Sequence, residues 1–284
     1  MKKFFIAEVS SNHNSDLDRS KRFIEESAKA GFDAVKFQLF KIDRLFAPEI
    51  LKKSKKHRDR KQWELPENFL PHLSECAKSN GIEFSCTPFY LEAVEILEEY
   101  VSFYKIASYE LLWSDLLAKC SHTGKKVILS TGMATIEEIS AAVKVLEDSK
   151  CSAIELLHCT SAYPTPPNEA NLKAINTLSK CFSYPIGWSD HTVSFEVIER
   201  AVNKWDAQTI EMHVDLDDFI GHEAKVGHCW SFSNSKKLIS KIREGILLDG
   251  SGIKAPVAAE EADRNWRADP YDGLRPLRKI RENY

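Results

Sequence analysis

Short β-type runs alternate with amphipathic helical stretches along most of this chain, and no other feature restricts its fold as much. Strands are expected at 3–9, 33–39, 82–86, 102–106, 126–130, 153–157, 184–188 and 208–213. Helical patterns at 20–30, 69–79, 91–100, 114–121, 136–147, 171–179, 195–203 and 235–248 follow them one for one. Parallel strands joined through helices form an α/β fold, and eight such units close into a (β/α)8 TIM barrel. Local chemistry agrees with the period. Asp16 stands ahead of the first helix as a cap, and Thr135 with Glu138 three positions later makes a capping box. Gly31, Gly81 and Gly124 sit where helices hand over to strands.

The length of 284 residues suits one barrel of about 250 residues with extensions. No linker or further repeat marks a second globular domain, so the barrel is expected over 1–250 and a short C-terminal extension over 251–284. Two segments stand outside the alternation. Lys41 to Leu65 carries the basic run Lys52-Lys53-Ser54-Lys55-Lys56-His57-Arg58-Asp59-Arg60-Lys61, which reads as a solvated helix or loop, or as a lid that attracts an anionic substrate. The tail concentrates Arg264, Trp266, Arg267, Asp269, Tyr271, Asp272, Arg275 and Pro276, a mix suited to an ordered appendage or an oligomer contact. Lys and Arg number 39 against 42 Asp and Glu, a net charge of −3, which gives no reason to expect nucleic acid or an anionic membrane as partner. No apolar run approaches the ~18 residues of a membrane span, and Glu8 interrupts the first apolar stretch too early for a signal peptide, so a cytoplasmic protein is expected. The seven cysteines contain no CxxC spacing and read mainly as reduced core residues.

Strand alternation separates the polar residues from the core. In the second strand Ala34, Lys36 and Gln38 share the inward face, with Val35, Phe37 and Leu39 packing outward on helices. In the last strand Thr209, Glu211 and His213 point inward. Glu8, Lys36, Gln38, Thr87, Lys105, Ser108, Ser130, Ser189, His191, Glu211 and His213 all fall at or just past the C-terminal ends of strands, the face where barrel enzymes carry their chemistry. Lys36, Lys105 and the hydroxyls of Thr87, Ser108, Ser130 and Ser189 converge as a cradle for an anion with many acceptor oxygens, such as a phosphorylated acid. His191 and His213 end adjacent strands and could hold one divalent metal, with mixed N/O ligation suiting Mn²⁺ better than a closed zinc site. The structural alternative is a histidine pair bonded to Asp190 and Glu211. The rim histidines His13, His158, His222 and His228 stay ambiguous one by one.

These residues sit in stretches that resemble the sialic acid (N-acetylneuraminate) synthase family. Ala7-Glu8-Val9-Ser10-Ser11-Asn12-His13-Asn14 and Gly31-Phe32-Asp33-Ala34-Val35-Lys36-Phe37-Gln38 look like its opening. The likeness continues through Ser85-Cys86-Thr87-Pro88-Phe89, Tyr104-Lys105-Ile106-Ala107-Ser108, Ile128-Leu129-Ser130-Thr131-Gly132-Met133-Ala134, Leu157-His158-Cys159-Thr160-Ser161-Ala162-Tyr163-Pro164, Ile186-Gly187-Trp188-Ser189-Asp190-His191-Thr192 and Ile210-Glu211-Met212-His213, over about residues 4–245. The resemblance implies a transferase that condenses phosphoenolpyruvate with an N-acylated hexosamine, giving a nine-carbon keto acid and phosphate. It implies that Lys36, Thr87, Lys105, Ser108, Ser130 and Ser189 hold phosphoenolpyruvate and that His191 and His213 bind manganese or magnesium. It gives Glu8, Gln38, Glu110 and Glu211 roles around the sugar and the metal, with Glu8, Lys105, Glu110 and Glu211 as catalytic candidates, and it implies a homodimer.

Departures from the family pattern concern the sugar half. Family members commonly continue into an antifreeze-like domain whose arginine reaches the partner's sugar; this sequence stops before one would fit, so tail residues between Arg264 and Arg281 substitute or the sugar is held differently. After the last strand the family's Gly-Pro-Asp-His gives way to Ile220-Gly221-His222-Glu223-Ala224-Lys225-Val226-Gly227-His228-Cys229-Trp230, where either Glu223 or His228 could take the polar role. Ser161 replaces an asparagine of some members. The runner-up function is a phosphoenolpyruvate-dependent synthase acting on an unacylated aldose. A metal-dependent aldolase or isomerase would have no use for the hydroxyl cradle, and a non-catalytic barrel would have no reason to keep it.

Overall fold

The computed structural model describes residues 2–281 and 283, and the chain divides into a compact unit ending at Glu244 and a second one from Gly245 onward. The first unit is the expected barrel. Its strands are β1 (Phe4–Glu8), β2 (Ala34–Leu39), β3 (Glu83–Pro88), β4 (Tyr104–Ile106), β5 (Val127–Ser130), β6 (Ile154–His158), β7 (Ile186–Asp190) and β8 (Thr209–Asp215). They pair in parallel in the order β3-β2-β1-β8-β7-β6-β5-β4. The seam between β3 and β4 closes through one bridge, Ser85 to Phe103, where the Ser85 hydroxyl donates to the Phe103 carbonyl at 2.9 Å. A short β9 (Trp230–Ser231) pairs with the end of β8.

The helices are α1 (Leu17–Ala30), the short α2 (Ile42–Leu45), α3 (Pro48–Lys53) and α4 (Lys55–Arg58), then α5 (Leu70–Ser79), α6 (Leu91–Glu98), α7 (Ser114–His122), α8 (Ile136–Asp148), α9 (Lys173–Cys181), α10 (Phe195–Asn203) and α11 (Phe232–Leu248). Both sequence-derived caps form: Asp16 accepts from the Arg19 N–H, and Thr135 with Glu138 makes a reciprocal capping box. Gly31 closes α1 in the left-handed region, at φ 93°. The basic stretch after β2 is a chain of short helices ending in a 3-10 turn, Asp59–Trp63. Of the cysteines, Cys86, Cys120, Cys159 and Cys229 are buried, and Cys181 is exposed.

Inside the barrel, Ile6, Ala34, Phe103, Ile128 and Leu157 form an apolar floor, with Phe4 packed beneath it. Apolar layers low in the barrel leave the upper rim to polar side chains. The second unit holds α12 (Glu261–Arg264) and α13 (Arg278–Arg281). Its tail residues are ordered by one another: Asp269 accepts from the Arg278 N–H at 2.8 Å, Asp272 accepts from Arg281 at 2.8 Å, and Arg278 stacks 4.0 Å from the Tyr271 ring centre. Among the described residues no helix is long and apolar enough to cross a membrane.

Gly187 is required by close approach: a Cβ there would lie 2.4 Å from the Thr209 carbonyl oxygen and 2.5 Å from Leu157 Cδ2. Gly187→Ala should therefore cost about 1–3 kcal/mol of stability in chemical denaturation, as overpacked sites do. Gly245→Ala, a helical position with nothing within 4 Å of the added carbon, should be neutral or stabilising; equal effects at the two positions would contradict this account.

Candidate active site at the C-terminal rim

Parallel register sets the site. Glu8 on β1 lies opposite Lys36 on β2 and His213 on β8, while Ser189 on β7 lies opposite Glu211. Residues in register on neighbouring parallel strands point to the same face, so all five turn into the barrel. Lys36 pairs directly with Glu8 and lies 3.8 Å from Glu211; Lys105 reaches Glu211 at 3.2 Å. The Ser189 hydroxyl donates to Glu211 at 2.8 Å, the Gln38 amide to Glu8 at 2.6 Å, and Lys36 to the Thr87 hydroxyl at 3.1 Å.

Burial and pairing set the charges here. Glu211 would be raised by burial, but Lys105, Lys36, His213 and the Ser189 hydroxyl outweigh that and bring its pKa down to about 2. Glu8 takes the opposite direction: complete burial raises its pKa against the pull of Lys36 and His213. Burial also opposes the Lys36 ammonium, yet Glu8 and Glu211 hold its pKa above the ordinary value. Glu110, just past β4, is pushed up to about 8 by burial, with Lys105 only partly offsetting the shift. Burial thus favours its protonated form near neutral pH.

The imidazoles have partners other than the Asp190 and Glu211 of the structural alternative. His191 Nδ1 lies 2.7 Å from the Thr160 carbonyl, which can only accept, so this nitrogen carries the proton and Nε2 keeps its lone pair. Burial, reinforced by His213, lowers the His191 pKa to about 3. His213 Nδ1 lies 2.8 Å from a Glu223 carboxylate oxygen, and against the opposing effect of burial that carboxylate raises the His213 pKa. The two rings are 5.2 Å apart between centres. His228 Nε2 approaches the same Glu223 oxygen at 3.3 Å, and Ser10 donates to the other. Burial works against the Glu223 carboxylate, but His213 and His228 hold its pKa well below the usual range. His213, Glu223 and His228 offer metal-ligand atoms within 4.8 Å of one another. Both residues left open in the loop after β8 therefore reach the site, whereas Asp190 takes the indole N–H groups of Trp188 and Trp230 and braces the turn that follows His191 by accepting from the Thr192 and Val193 N–H groups.

Two adjoining cavities meet here. The inner one is lined by Glu8, Lys36, Gln38, Lys105, Ser108, Ser130, Cys159, Tyr163, Ser189, His191, Glu211 and His213, among others. Thr87 does not line it and meets Lys36 from behind. The outer one, about 570 Å³, shares Gln38, Ala107, Tyr109, Tyr163 and His213 with the inner and adds Leu45, Phe46, Arg60, Phe89, Glu110, Glu223 and His228. Of the three hydroxyls that are buried with no hydrogen-bond partner among the described residues, Ser121 belongs to α7 and the other two are Ser130 Oγ and Ser161 Oγ. The Gly132 N–H donates to Ser108 Oγ at 3.0 Å, and a Cβ on Gly132 would strike Ser161 Oγ at 2.3 Å. The contributions of Asn12, the Thr160 carbonyl and Gly132 were not legible in the sequence: they work through loop backbone or bonds to distant loops. Asn12 accepts from the Glu223 N–H at 2.8 Å and donates to the Val214 carbonyl at 2.9 Å. His13 and His158 are both shifted down by burial, and the His222 ring meets that of Trp63 at a tilt of 45°, 5.3 Å between centres.

Similarity to known proteins follows the same residues. The NeuB family model matches residues 23–254. An uncharacterised protein of Methanocaldococcus jannaschii is 42% identical over 262 residues, covering 90% of this chain and 75% of that protein. The N,N'-diacetyllegionaminic acid synthase of Campylobacter jejuni is 37% identical over 280 residues, covering 93% of this chain and 82% of the synthase. The structure is similar to that of N-acetylneuraminic acid (sialic acid) synthetase from Leptospira borgpetersenii in complex with citrate, with a TM-score of 0.82 and 32% identity over 93% of this chain and 90% of that one. The barrel, its charged rim and these relationships along most of the chain lead to one assignment: the protein belongs to the NeuB family.

Proposed function

We propose that this chain is a metal-dependent synthase that joins phosphoenolpyruvate to an N-acylated hexosamine, forming a nine-carbon 3-deoxy-2-keto acid and inorganic phosphate. The observation that carries this reading is the convergence of the Lys36 and Lys105 ammonium groups with the hydroxyls of Ser108, Ser130 and Ser189 around one cavity. A buried hydroxyl without a partner, as at Ser130, fits a ligand that brings acceptor oxygens, and phosphoenolpyruvate brings both phosphate and carboxylate. Kinship with a legionaminic acid synthase and a sialic acid synthetase supports the same reaction class.

In this reading C3 of phosphoenolpyruvate forms a bond to the aldehyde carbon of the open-chain sugar, whose oxygen takes a proton. Water adds at C2, and the C2–O bond to phosphate breaks to leave the ketone. Of the two protons given up by the water, one balances the new hydroxyl and one leaves with phosphate. Lys36, Lys105 and the three serines bind the phosphate and carboxylate and stabilise charge on the departing phosphate. Glu110, neutral near pH 7, is the group suited to protonate the sugar oxygen. Glu8, fixed by Lys36 and Gln38, is suited to orient the water. Glu211 stands between the two ammonium groups.

His191 and His213 would hold the divalent cation, Mn²⁺ or Mg²⁺. Their fit rests on Nδ1 of each ring being committed to Thr160 or Glu223, which leaves Nε2 of each ring, in its neutral form, as the atom that would meet the ion. When bound, such an ion polarises the aldehyde as a Lewis acid. The enzyme in this reading works as a cytoplasmic homodimer.

Phosphate release from phosphoenolpyruvate with Mn²⁺, measured across N-acetylmannosamine, doubly acylated dideoxy sugars and unacylated aldoses with product mass in parallel, should give a nine-carbon keto acid from an acylated sugar. Turnover of unacylated aldoses alone would replace this reading with the runner-up. Because Glu110 acts in its protonated form, the rate should fall as pH rises through about 8; Glu110→Gln should lower kcat about 10²-fold or more and abolish that fall, and an unchanged pH profile would remove Glu110 from the proton path. Glu223→Gln should weaken Mn²⁺ binding about 10–100-fold in electron paramagnetic resonance titrations without substrate, and wild-type affinity would show that the His213 orientation does not depend on it.

A further inference from the structure

Most of the basic residues after β2 face water or a carboxylate. Lys52, Lys53, Lys55, Lys56 and Arg58 are exposed, and Lys41 and Arg44 pair with Glu67 and Glu92. Arg60 does neither. It is half-buried on the 3-10 turn Asp59–Trp63 and lines the outer cavity. Its guanidinium carbon lies 5.3 Å from the Phe46 ring centre and 5.1 Å from that of Trp63, two cation–π contacts that hold it between the rings. Its Nε is buried and has no hydrogen-bond partner among the described residues. A buried guanidinium donor without an acceptor is costly unless a ligand supplies one. Of the two carboxylates that line the same cavity, Glu223 is taken up by His213, His228 and Ser10, and Glu110 makes no hydrogen bond or ion pair with Arg60 among the described residues.

The surroundings restrict the ligand group. Leu45, Phe46, Phe89 and Tyr109 give this cavity an apolar wall beside Arg60. A carbonyl oxygen attached to a small apolar group matches both features, the oxygen meeting the donor edge and the methyl meeting the wall. A phosphoryl group would use the donor and leave the wall unmatched. We infer that Arg60 is a specificity-determining residue that donates from its guanidinium edge to the carbonyl oxygen of an N-acyl substituent on the acceptor sugar, with the acyl methyl against Phe46 and Phe89. The inference rests on the sugar-condensing reading above and adds which residue selects acylated acceptors.

The test compares wild type, Arg60→Ala and Arg60→Lys in phosphate release with N-acetylmannosamine, mannose and N-acetylmannosamine 6-phosphate. It is paired with saturation-transfer NMR on the acetyl methyl of N-acetylmannosamine. Arg60→Ala should raise the KM for N-acetylmannosamine and lower its kcat/KM relative to mannose about 10–100-fold, the loss expected for a charge-assisted hydrogen bond. The KM for phosphoenolpyruvate should not move, and Arg60→Lys, which keeps the charge but not the planar edge, should fall between. The acetyl saturation signal should weaken in step. A preserved acylated-to-unacylated preference in Arg60→Ala overturns the inference, as does a loss confined to the 6-phosphate. Circular dichroism and thermal melting establish that each variant is folded; should Arg60→Ala be unfolded, the same comparison with Arg60→Lys decides. Absent turnover in wild type with an Arg60-dependent acetyl signal would sink the condensation reading and keep the acyl contact, whereas absence of both signals sinks the acyl contact as well.

Discussion

Four buried charges, Glu8, Lys36, Glu211 and Lys105, hold each other in place inside the barrel, and the arrangement of the rim depends on their alternation. Any one of them alone in this interior would cost several kcal/mol, and removing a partner leaves the other uncompensated. Lys36 between two carboxylates and Glu211 between two ammonium groups meet that requirement. It can be met only in one register. Slipping β2 by a single residue would turn Lys36 towards the helices and Phe37 into the site. The apolar floor of Ile6, Ala34, Phe103, Ile128 and Leu157 opposes such a slip, so the same pairing secures the core and aims the charges.

A second network carries the imidazoles. Arg19 on α1 is buried and donates to the Asn12 carbonyl at 2.8 Å, to Asp215 at 2.6 Å and to Asp218 at 3.0 Å. Asp215 accepts from the Gly221 N–H at 2.8 Å, and Asn12 accepts from that of Glu223. The loop after β8 has little regular structure, yet these bonds tie its backbone to α1 and to the loop after β1. Glu223 reaches His213 and His228 because its main chain is held from behind. A loop sequence that departs from the family pattern can thus still bring a carboxylate to the histidines, through supporting residues rather than through its own conformation.

The strands and their inward faces were readable because parallel strands have a period of two and the helices between them carry ordinary caps and apolar faces. Lys36, Gln38, Glu211 and His213 follow from alternation alone, and Glu8, Ser130, Ser189 and His191 from their place at strand ends. Residues whose function depends on a loop's path were not readable. Nothing local to Glu223 says that it will meet two histidines, and the roles of the Thr160 carbonyl and the Gly132 N–H leave no side-chain signature. Arg60 is concealed differently. In a run of eight basic residues composition cannot say which one turns inward; the aromatic neighbours Phe46 and Trp63 decide it, and they lie 14 residues before and three after.

The site also divides by the element that carries each residue. Most of the charged and hydroxyl groups of the inner cavity stand on strands or at their last residue, where the barrel's hydrogen bonding fixes them. The outer cavity is built largely from the loops after β2, β3, β4, β6 and β8, which contribute Arg60, Phe89, Glu110, Tyr163 and Glu223. Changing a strand residue disturbs the charge alternation and the register together, so the inner half resists substitution. Loop residues can change without breaking either. On these grounds a barrel of this kind can keep one half-reaction constant while the acceptor varies, and the selectivity of this chain should be sought in the loop that brings Arg60 to the cavity rather than in the strands beneath it.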